Sequence, residues 1–430
     1  MSTSIRFTTV DGRQILDSRG FPTVEVRGVL TDGTRLTAAT PAGASTGKHE
    51  AVELRDGGRA YSGRGVQKAL AGFTQEVAPM LVDREWENIN SVDQALADLD
   101  GSAGYRRLGA NIVVAVSILA SRAFAHENDN QPLHSWIAER ALATELLPVP
   151  HFNVLNGGAH AANALDFQEF MIAPLSAGSE DEAIRTGAEI YHELKERTSR
   201  RFGGVGLGDE GGFAPQIGDP RIALDLLVEA IESAGYDAGV DRVAIALDPA
   251  ANSFYLGDGL YRLNGREISR DQLVEYYLGL IDSYPIWSIE DGFSEDDHEG
   301  WQAMYQACAT RVQLVGDDLY VTDPQRIQAG GAAHLSNAAL IKPNQIGTVS
   351  QTLEAIRAAR EAGMACMVSH RSGETADTFI ADLVVGSGVG QIKSGALARG
   401  ERVAKYNRLA EIALDCPELL YGLTTKKARR

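Results

Sequence analysis

The feature that most constrains the fold is a series of short apolar runs, each followed by one ionisable residue. Most of these runs are separated by roughly 25 residues, which is enough for one strand, one crossover helix and two loops. The runs are continuously apolar, which is typical of strands buried on both faces of a parallel sheet. The residues that end the runs are Asp248, Glu290, Asp317, Lys342, His370 and Lys393.

The segments between the runs carry helix signals. Ile222–Gly235 places apolar residues on one face and stops at a glycine, and Thr348–Gly363 opens with the capping-box pattern T-V-S-Q. The longest interval leaves room for an extra hairpin at Asn252–Arg266. Repeated strand–helix units with polar strand ends favour a (β/α) barrel over an open sheet. In such a barrel the six terminal residues would meet at one mouth.

The first part of the chain has a different pattern. Its β-branched runs are separated by Gly12, Gly20 and the Asp32-Gly33 turn, which predicts a strand meander. Helical patterns then extend from about residue 65 to residue 126. We therefore predict an α/β protein with a smaller α+β domain over 1–140 and a catalytic barrel over 141–430. The predicted strands of the first domain are Ser4–Val10, Pro22–Leu30 and Thr34–Ala39.

Composition excludes several classes of function. The chain has 40 basic and 58 acidic residues, a net charge of −18, which argues against nucleic-acid binding and anionic membranes. Its 3 cysteines form no disulfide framework and no zinc motif, so we expect reduced thiols and a cytoplasmic location. The N-terminus lacks the apolar region of a signal peptide. Asn111–Ala125 is too short to cross a bilayer, which predicts a buried helix and no membrane insertion.

The predicted mouth carries three carboxylates, from Asp248, Glu290 and Asp317. Such groups repel one another unless a cation lies between them, and oxygen-only ligands favour Mg²⁺ or Mn²⁺ over Zn²⁺. Taken singly, each could instead cap a helix or pair with a basic side chain. Lys342 beside bound cations would have a lowered pKa and could remove a proton next to a carboxylate. Taken alone, Lys342 could equally form a salt bridge.

Three loop motifs add candidate groups. Glu210 lies in G-D-E-G-G and could protonate a leaving hydroxyl, or could be an exposed acid in a tight turn. The second motif is His370-Arg371-Ser372-Gly373-Glu374, in which the first three side chains could bind a phosphate. The alternative is an ion pair between Arg371 and Glu374. The segment G-A-S-T-G-K-H (43–49) has the wrong spacing for a P-loop, and we interpret it as a mobile lid.

Together these motifs resemble the enolase family, of bacterial type, over nearly the whole chain. The matching segments occur in the family's order. They are D-S-R-G-F-P-T-V-E (17–25), G-A-S-T-G (43–47), V-L-N-G-G-A-H (154–160), Q-E-F-M-I-A-P (168–174), G-D-E-G-G (208–212), S-I-E-D (288–291), G-D-D-L-Y-V-T (316–322), K-P-N-Q-I-G-T (342–348), S-H-R-S-G-E-T (369–375) and G-Q-I-K-S-G (390–395).

The resemblance implies a lyase that reversibly dehydrates 2-phospho-D-glycerate to phosphoenolpyruvate in glycolysis. It also implies a (β/α)8 barrel with an irregular ββαα start and a homodimer or an octamer of dimers. The runs Leu147–Leu155 and Phe167–Ala173 lie too close together for a helix between them, which agrees with that start. The partners would be a phosphorylated hydroxy acid and a second copy of the chain.

The resemblance also implies roles for individual residues. Two Mg²⁺ ions would bind per active site, the first to Asp248, Glu290 and Asp317 and the second with help from Ser45. Lys342 would remove the C2 proton, and Glu210 would assist departure of the C3 hydroxyl, with Glu169 and His160 nearby. The implied substrate-binding residues are His160, Glu169, Glu290, Asp317, Lys342, His370, Arg371, Ser372 and Lys393.

Four positions depart from the family's usual residues: Phe21, Ala42, Pro249 and Asn252. None of them is an implied ligand, base or acid. They leave open a paralogue that dehydrates a carboxylated phosphonate in secondary metabolism. A non-catalytic binding or scaffold protein is a second alternative, and it predicts damage to the Glu210–Lys342 pair or to the three carboxylates. The sequence carries no such damage.

Overall fold

The computed structural model describes residues 4–43, 47–82 and 84–423. The chain begins with an antiparallel sheet in the order β1-β2-β3. Its strands are β1 (Phe7–Leu16), β2 (Pro22–Leu30) and β3 (Arg35–Ala39). The prediction that Gly12 separates strands was wrong, because Gly12 lies inside β1 opposite Val26. A Cβ atom at Gly12 would lie 2.9 Å from the ring of Phe73, so a glycine there lets a helix pack closely on the strand.

Five α-helices follow in this part of the described chain, and α4 forms its centre. Nearly all of α4 is buried, including Ser117 and Ser121, which confirms the buried helix predicted at Asn111–Ala125. No helix in the described segments is long and apolar enough to cross a membrane. The helices are α1 (Gln67–Gly72), α2 (Ala78–Val82), α3 (Ile89–Asp100), α4 (Ala110–Glu127) and α5 (Leu133–Ala141).

The remaining strands form a closed eight-stranded barrel and one small sheet. They are β4 (Val149–Asn156), β5 (Glu169–Pro174), β6 (Val243–Asp248), β7 (Tyr255–Gly257), β8 (Leu260–Leu263), β9 (Arg266–Ser269), β10 (Ile286–Glu290), β11 (Gln313–Gly316), β12 (Ala338–Ile341), β13 (Ala365–Ser369) and β14 (Gln391–Lys393). The barrel order is β10-β11-β12-β13-β14-β4-β5-β6. Strand β5 runs antiparallel to β4 and β6, whereas the other neighbouring pairs are parallel.

Helices cover the outside of the barrel, and two of them follow β5 before the next strand. This arrangement confirms the predicted ββαα start. The small sheet β7-β8-β9 occupies the interval where an extra hairpin was predicted. The helices are α6 (Glu180–Phe202), α7 (Pro220–Ser233), α8 (Arg270–Ser283), α9 (His298–Cys308), α10 (Pro324–Ala332), α11 (Pro343–Ile346), α12 (Val349–Glu361), α13 (Phe379–Ser387) and α14 (Gly400–Asp415).

The strand ends gather the predicted residues at one mouth. Asp248, Glu290 and Lys393 are the last residues of β6, β10 and β14. The other three candidates directly follow β11, β12 and β13. Because β5 runs in the opposite direction, its first residue, Glu169, lies at the same end and pairs with Asp248. The reversed strand thus adds one more carboxylate to the mouth.

The first part of the chain contacts the barrel beside this mouth. Ala42 and Gly373 exchange two backbone hydrogen bonds of 2.7 and 2.9 Å. Arg122 on α4 forms an ion pair of 2.8 Å with Asp377. Since both partners are mostly removed from solvent, this pair fixes the position of α4 against the barrel.

Candidate active site

A polar cavity opens at the carboxyl ends of the strands. Most of its lining is ionisable, which is unusual for a packed interior and typical of a reaction site. The lining residues are Glu50, His160, Gln168, Glu169, Glu210, Asp248, Ala250, Asp291, Asp317, Asp318, Lys342, Ser369, His370, Arg371, Ser372 and Lys393. The cavity therefore contains most of the residues that the strand-end pattern singled out.

One group of contacting residues at the cavity, which we term the lysine wall, consists of Lys342, Lys393, Asp248, Glu290 and Asp317. The ammonium of Lys393 lies 2.8 Å from Glu290 and 3.3 Å from Asp248. The ammonium of Lys342 donates a hydrogen bond to Asp317. Two lysine ammonium groups thus contact all three buried carboxyl groups.

Each charge on the lysine wall changes the pKa of its neighbours. Burial and the nearby Asp248 carboxylate raise the pKa of Glu290 well above its ordinary value. Burial also favours neutral Asp317, but the ammonium of Lys342 outweighs it and lowers the pKa of this carboxyl. Burial disfavours both ammonium groups, yet the surrounding carboxylates raise the pKa of Lys342 and raise that of Lys393 further. In the chain alone, Lys342 is therefore held as a cation.

Two compact groups of side chains in the described chain could hold a metal ion, and both border this cavity. They are His160 with Glu169 and Glu210, and Asp291 with Asp317 and Asp318. The predicted trio is not gathered into one such group, because lysine ammonium groups contact its carboxylates. Its donors are still buried carboxylate oxygens, the chemistry that suits a hard divalent cation. The other predicted ligand, Ser45, lies outside the described residues.

A second group, which we term the histidine wall, consists of His160, His370 and Glu210 at the cavity, with Arg402 behind them. Glu210 accepts a hydrogen bond of 2.8 Å from Asn153 at Oε2, and the same oxygen lies 3.2 Å from His370 Nε2. Its other oxygen, Oε1, lies 3.7 Å from His160 Nδ1. Glu210 is only 3% exposed, so the alternative of an exposed acid in a tight turn was wrong.

Glu169 lies between the two walls and differs from Glu210 in its electrostatics. It is 3.2 Å from Lys393 and 3.6 Å from His160. Burial, with the nearby Glu210 carboxylate, raises the pKa of Glu169 well above its ordinary value. Burial acts in the same direction on Glu210, but His370, His160 and Arg402 outweigh it and hold its pKa well below the ordinary value. One carboxyl therefore retains a proton while the other is ionised.

The two imidazoles of the histidine wall are neutral. Burial lowers the pKa of His370 to about 4, against the opposing effect of the Glu210 carboxylate. Burial likewise lowers the pKa of His160. Neutral rings can each donate one hydrogen bond and accept another, so this wall can pass protons without a change of charge at every step.

Arg371 and Ser372 line the cavity at the turn after β13. The Arg371 guanidinium lies 2.9 Å from Glu50 and 3.2 Å from the Asn344 side-chain oxygen. The alternative ion pair with Glu374 was wrong, because the side chain of Glu374 pairs with Lys405 at 2.8 Å. Glu50 directly follows the predicted lid motif and connects it to this turn.

Several residues of the site were not predicted from the sequence. Glu50 directly follows the glycine-rich segment 43–49, and this position is the signal that could have identified it. Asn153 lies inside the buried strand β4, and Arg402 lies on a helix far along the chain. Of the four departures, Asn252 donates a 2.8 Å hydrogen bond to Asp318, a lining residue.

The geometry agrees with comparisons to known protein families. A family described as "Enolase, N-terminal domain" matches residues 7–137. A second, described as "Enolase, C-terminal TIM barrel domain", matches residues 144–419, more than half of the chain. These matches cover the strand meander, the closed barrel and every described residue of both walls. The chain therefore belongs to the enolase family.

Proposed function

We propose that the protein catalyses the reversible dehydration of 2-phospho-D-glycerate to phosphoenolpyruvate. The observation that carries this proposal is that Lys342 and Glu210 line the same cavity. The removal of a proton and a hydroxyl from adjacent carbons requires a base and a proton-transferring group within reach of one substrate. The lysine wall would act at C2 and the histidine wall at C3.

Proton removal is assigned to Lys342. Its Nζ would take the proton from C2, and the electron pair would pass into the carboxylate. Asp248, Glu290, Asp317 and Ser45 would hold two Mg²⁺ or Mn²⁺ ions, which when bound supply positive charge for the dianion and compete with Lys342 for Asp317. Lys393 would contact the substrate carboxylate, since its ammonium already lies among three acids at this end.

Departure of the hydroxyl is assigned to Glu210 with Glu169 and His160. As the C2=C3 double bond forms, the C3–O bond breaks and the leaving oxygen takes a proton to become water. Glu169 retains a proton under the conditions that ionise Glu210, so the pair carries one transferable proton between them. His160, within 3.7 Å of both, connects the two carboxyls.

Substrate orientation is assigned to the turn after β13. Arg371 and Ser372 would bind the phosphate, with His370 beside them. The phosphate would have to share the Arg371 guanidinium with Glu50, which contacts it through both carboxylate oxygens at 2.9 and 3.3 Å. This competition makes phosphate binding sensitive to the position of the lid next to Glu50.

We extend the proposal to the pathway, the cellular location and the oligomeric state of the protein. It would act in glycolysis in the cytoplasm, as a homodimer or an octamer of dimers. The division into a domain over 1–140 and a barrel domain over 141–430 is part of the same proposal.

The test is to mix the purified protein with Mg²⁺ and 2-phosphoglycerate and to follow the ultraviolet absorbance of the enol phosphate. Rapid growth that EDTA abolishes supports the proposal. Parallel reactions with a carboxylated phosphonate analogue test the paralogue. If a folded, metal-binding protein turns over the analogue and not 2-phosphoglycerate, the proposed substrate is wrong. If it turns over neither, the scaffold alternative replaces the catalytic one.

A further inference from the structure

Arg402 is the most completely buried arginine at the site, with 0% exposure, although it does not line the cavity. It is the third residue of α14, and its side chain reaches the turn after β13. Its guanidinium donates hydrogen bonds to His370 Nδ1 at 2.5 Å, to the Arg371 carbonyl at 2.6 Å, to the Ser372 carbonyl at 2.6 Å, to the Asp209 carbonyl at 3.3 Å and to Ser18 Oγ at 3.4 Å.

These contacts determine which nitrogen of His370 carries the proton. A guanidinium has only donor groups, so His370 Nδ1 must accept with its lone pair. A neutral imidazole then carries its single proton on Nε2, and the ring is neutral because burial lowers its pKa to about 4. Nε2 lies 3.2 Å from Glu210 Oε2, so the proton is carried by the ring nitrogen next to that carboxylate.

We propose that Arg402 is a positioning residue that fixes His370 in the Nε2–H form and thereby orients Glu210. Oε2 of Glu210 accepts a hydrogen bond of 2.8 Å from Asn153 and lies 3.2 Å from His370 Nε2. Oε1 is left as the oxygen that exchanges a proton with the ligand or with His160. The catalytic consequence of this arrangement rests on the proposed function, whereas the tautomer is a property of the resting protein.

The opposite tautomer would place a lone pair of His370 against a carboxylate oxygen, and the repulsion would turn both groups away. Arg402 also holds the carbonyls of Arg371 and Ser372, so the same side chain couples the phosphate-binding turn to His370 and Glu210. Substitution of a residue that orients a reacting group in this way lowers activity by about 10- to 100-fold in comparable metal sites.

The experiment is nuclear magnetic resonance of the full chain labelled with ¹⁵N-histidine, in the absence of substrate. The His370 signals are assigned by their loss in His370→Gln. We expect Nε2 to appear as a protonated nitrogen and Nδ1 as an unprotonated acceptor. Arg402→Lys should preserve this pattern because an ammonium also only donates. In Arg402→Met the donor next to Nδ1 is lost, and the charged groups that still face the ring are the acids Glu210 and Glu374. We therefore expect Nδ1 to gain a hydrogen in this variant.

Kinetics supply a second readout. We expect Arg402→Met to lower kcat by about 10- to 100-fold with a smaller change in KM, and Arg402→Lys to recover part of the loss. The matched control is Arg408→Met on the same helix, which breaks a 2.7 Å ion pair with Asp382 away from the cavity. It should leave both the tautomer and kcat unchanged.

A hydrogen on Nδ1 in the wild-type protein would overturn the proposal, as would an unprotonated Nδ1 in folded Arg402→Met. If Arg402→Met does not fold, the wild-type and Arg402→Lys spectra still decide, because either could place the hydrogen on Nδ1. A protein with the expected tautomer that does not turn over 2-phosphoglycerate would contradict the proposed function and leave the tautomer assignment standing.

Discussion

The two walls of the cavity are equally buried but are stabilised in different ways. On the lysine wall, lysine ammonium groups contact carboxyl groups directly, as where Lys393 contacts Glu290 and Asp248. On the histidine wall, the carboxylate of Glu210 accepts a hydrogen bond from Asn153 and lies beside neutral His370, which Arg402 contacts from behind. A charged wall suits the stabilisation of a dianion, and a wall of neutral donors suits the transfer of a proton. The division of labour proposed here follows from this difference.

The largest effect should come from removing the base of the lysine wall. Lys342→Met should lower turnover by about 10⁴-fold, because no other neutral amine replaces it beside Asp317. The control is Lys195→Met, since Lys195 is exposed on α6, away from the cavity. The assay is enol-phosphate absorbance at saturating substrate. A Lys342→Met protein that retains a tenth of the activity would remove Lys342 from its assigned role.

A smaller effect should follow when the charge of the lysine wall is reduced at a metal ligand. Asp248→Asn should weaken Mn²⁺ binding by at least about 10-fold, because a carboxylate is replaced by a neutral oxygen. Electron paramagnetic resonance titration of free Mn²⁺ measures this without activity. Asp296→Asn, an exposed acid, should leave the affinity unchanged. Equal affinities for the two variants would mean that the cation is held elsewhere, for instance by Asp291 and Asp318.

The smallest effect concerns a buried acid that belongs to neither wall. Glu180 begins α6, is 1% exposed, and its carboxylate oxygens accept no hydrogen bond within the described chain. Burial alone raises its pKa well above the ordinary value. The folded protein therefore keeps a proton that the unfolded chain releases, and stability is lost as the pH rises above the unfolded-state pKa near 4.5.

Glu180→Leu should accordingly raise the free energy of unfolding by about 1–3 kcal/mol at pH 8. The gain should shrink when the pH falls below the ordinary glutamate pKa. Denaturant unfolding at several pH values measures both. Asp181→Leu is the control, because Asp181 is exposed in the same first turn and should give no gain. A gain that does not depend on pH would show that Glu180 is ionised in the folded chain.

Much of the barrel was predictable because its signal is local. Each buried parallel strand is a continuous apolar run, and the residue after it is fixed at the mouth by the direction of the strand. Asp248, Glu290 and Lys393 were therefore identified from their own neighbours along the chain. The irregular start of the barrel was predictable only from the short interval between two apolar runs. Because β5 runs antiparallel to β4, no crossover helix separates these two strands.

The remaining features depend on contacts between distant segments. Glu50 and Arg371 are 321 positions apart in the chain, and Arg402 reaches His370 from another helix. No periodicity marks such residues. The strand prediction at Gly12 was wrong for the same reason, because the close contact of this glycine with Phe73 joins distant parts of the sequence. The lowered pKa expected of Lys342 also presumed bound cations, and in the chain alone Asp317 raises it.

The division between the walls is tested most directly by separating the two chemical events. 2-Phosphoglycerate is incubated with Mg²⁺ in deuterium oxide, and deuterium at C2 is measured beside the formation of phosphoenolpyruvate. We predict that Glu210→Gln exchanges the C2 hydrogen while forming little product, and that Lys342→Met does neither. Loss of exchange in Glu210→Gln to the same extent as turnover, or exchange that persists in Lys342→Met, would contradict the assignment of the two walls.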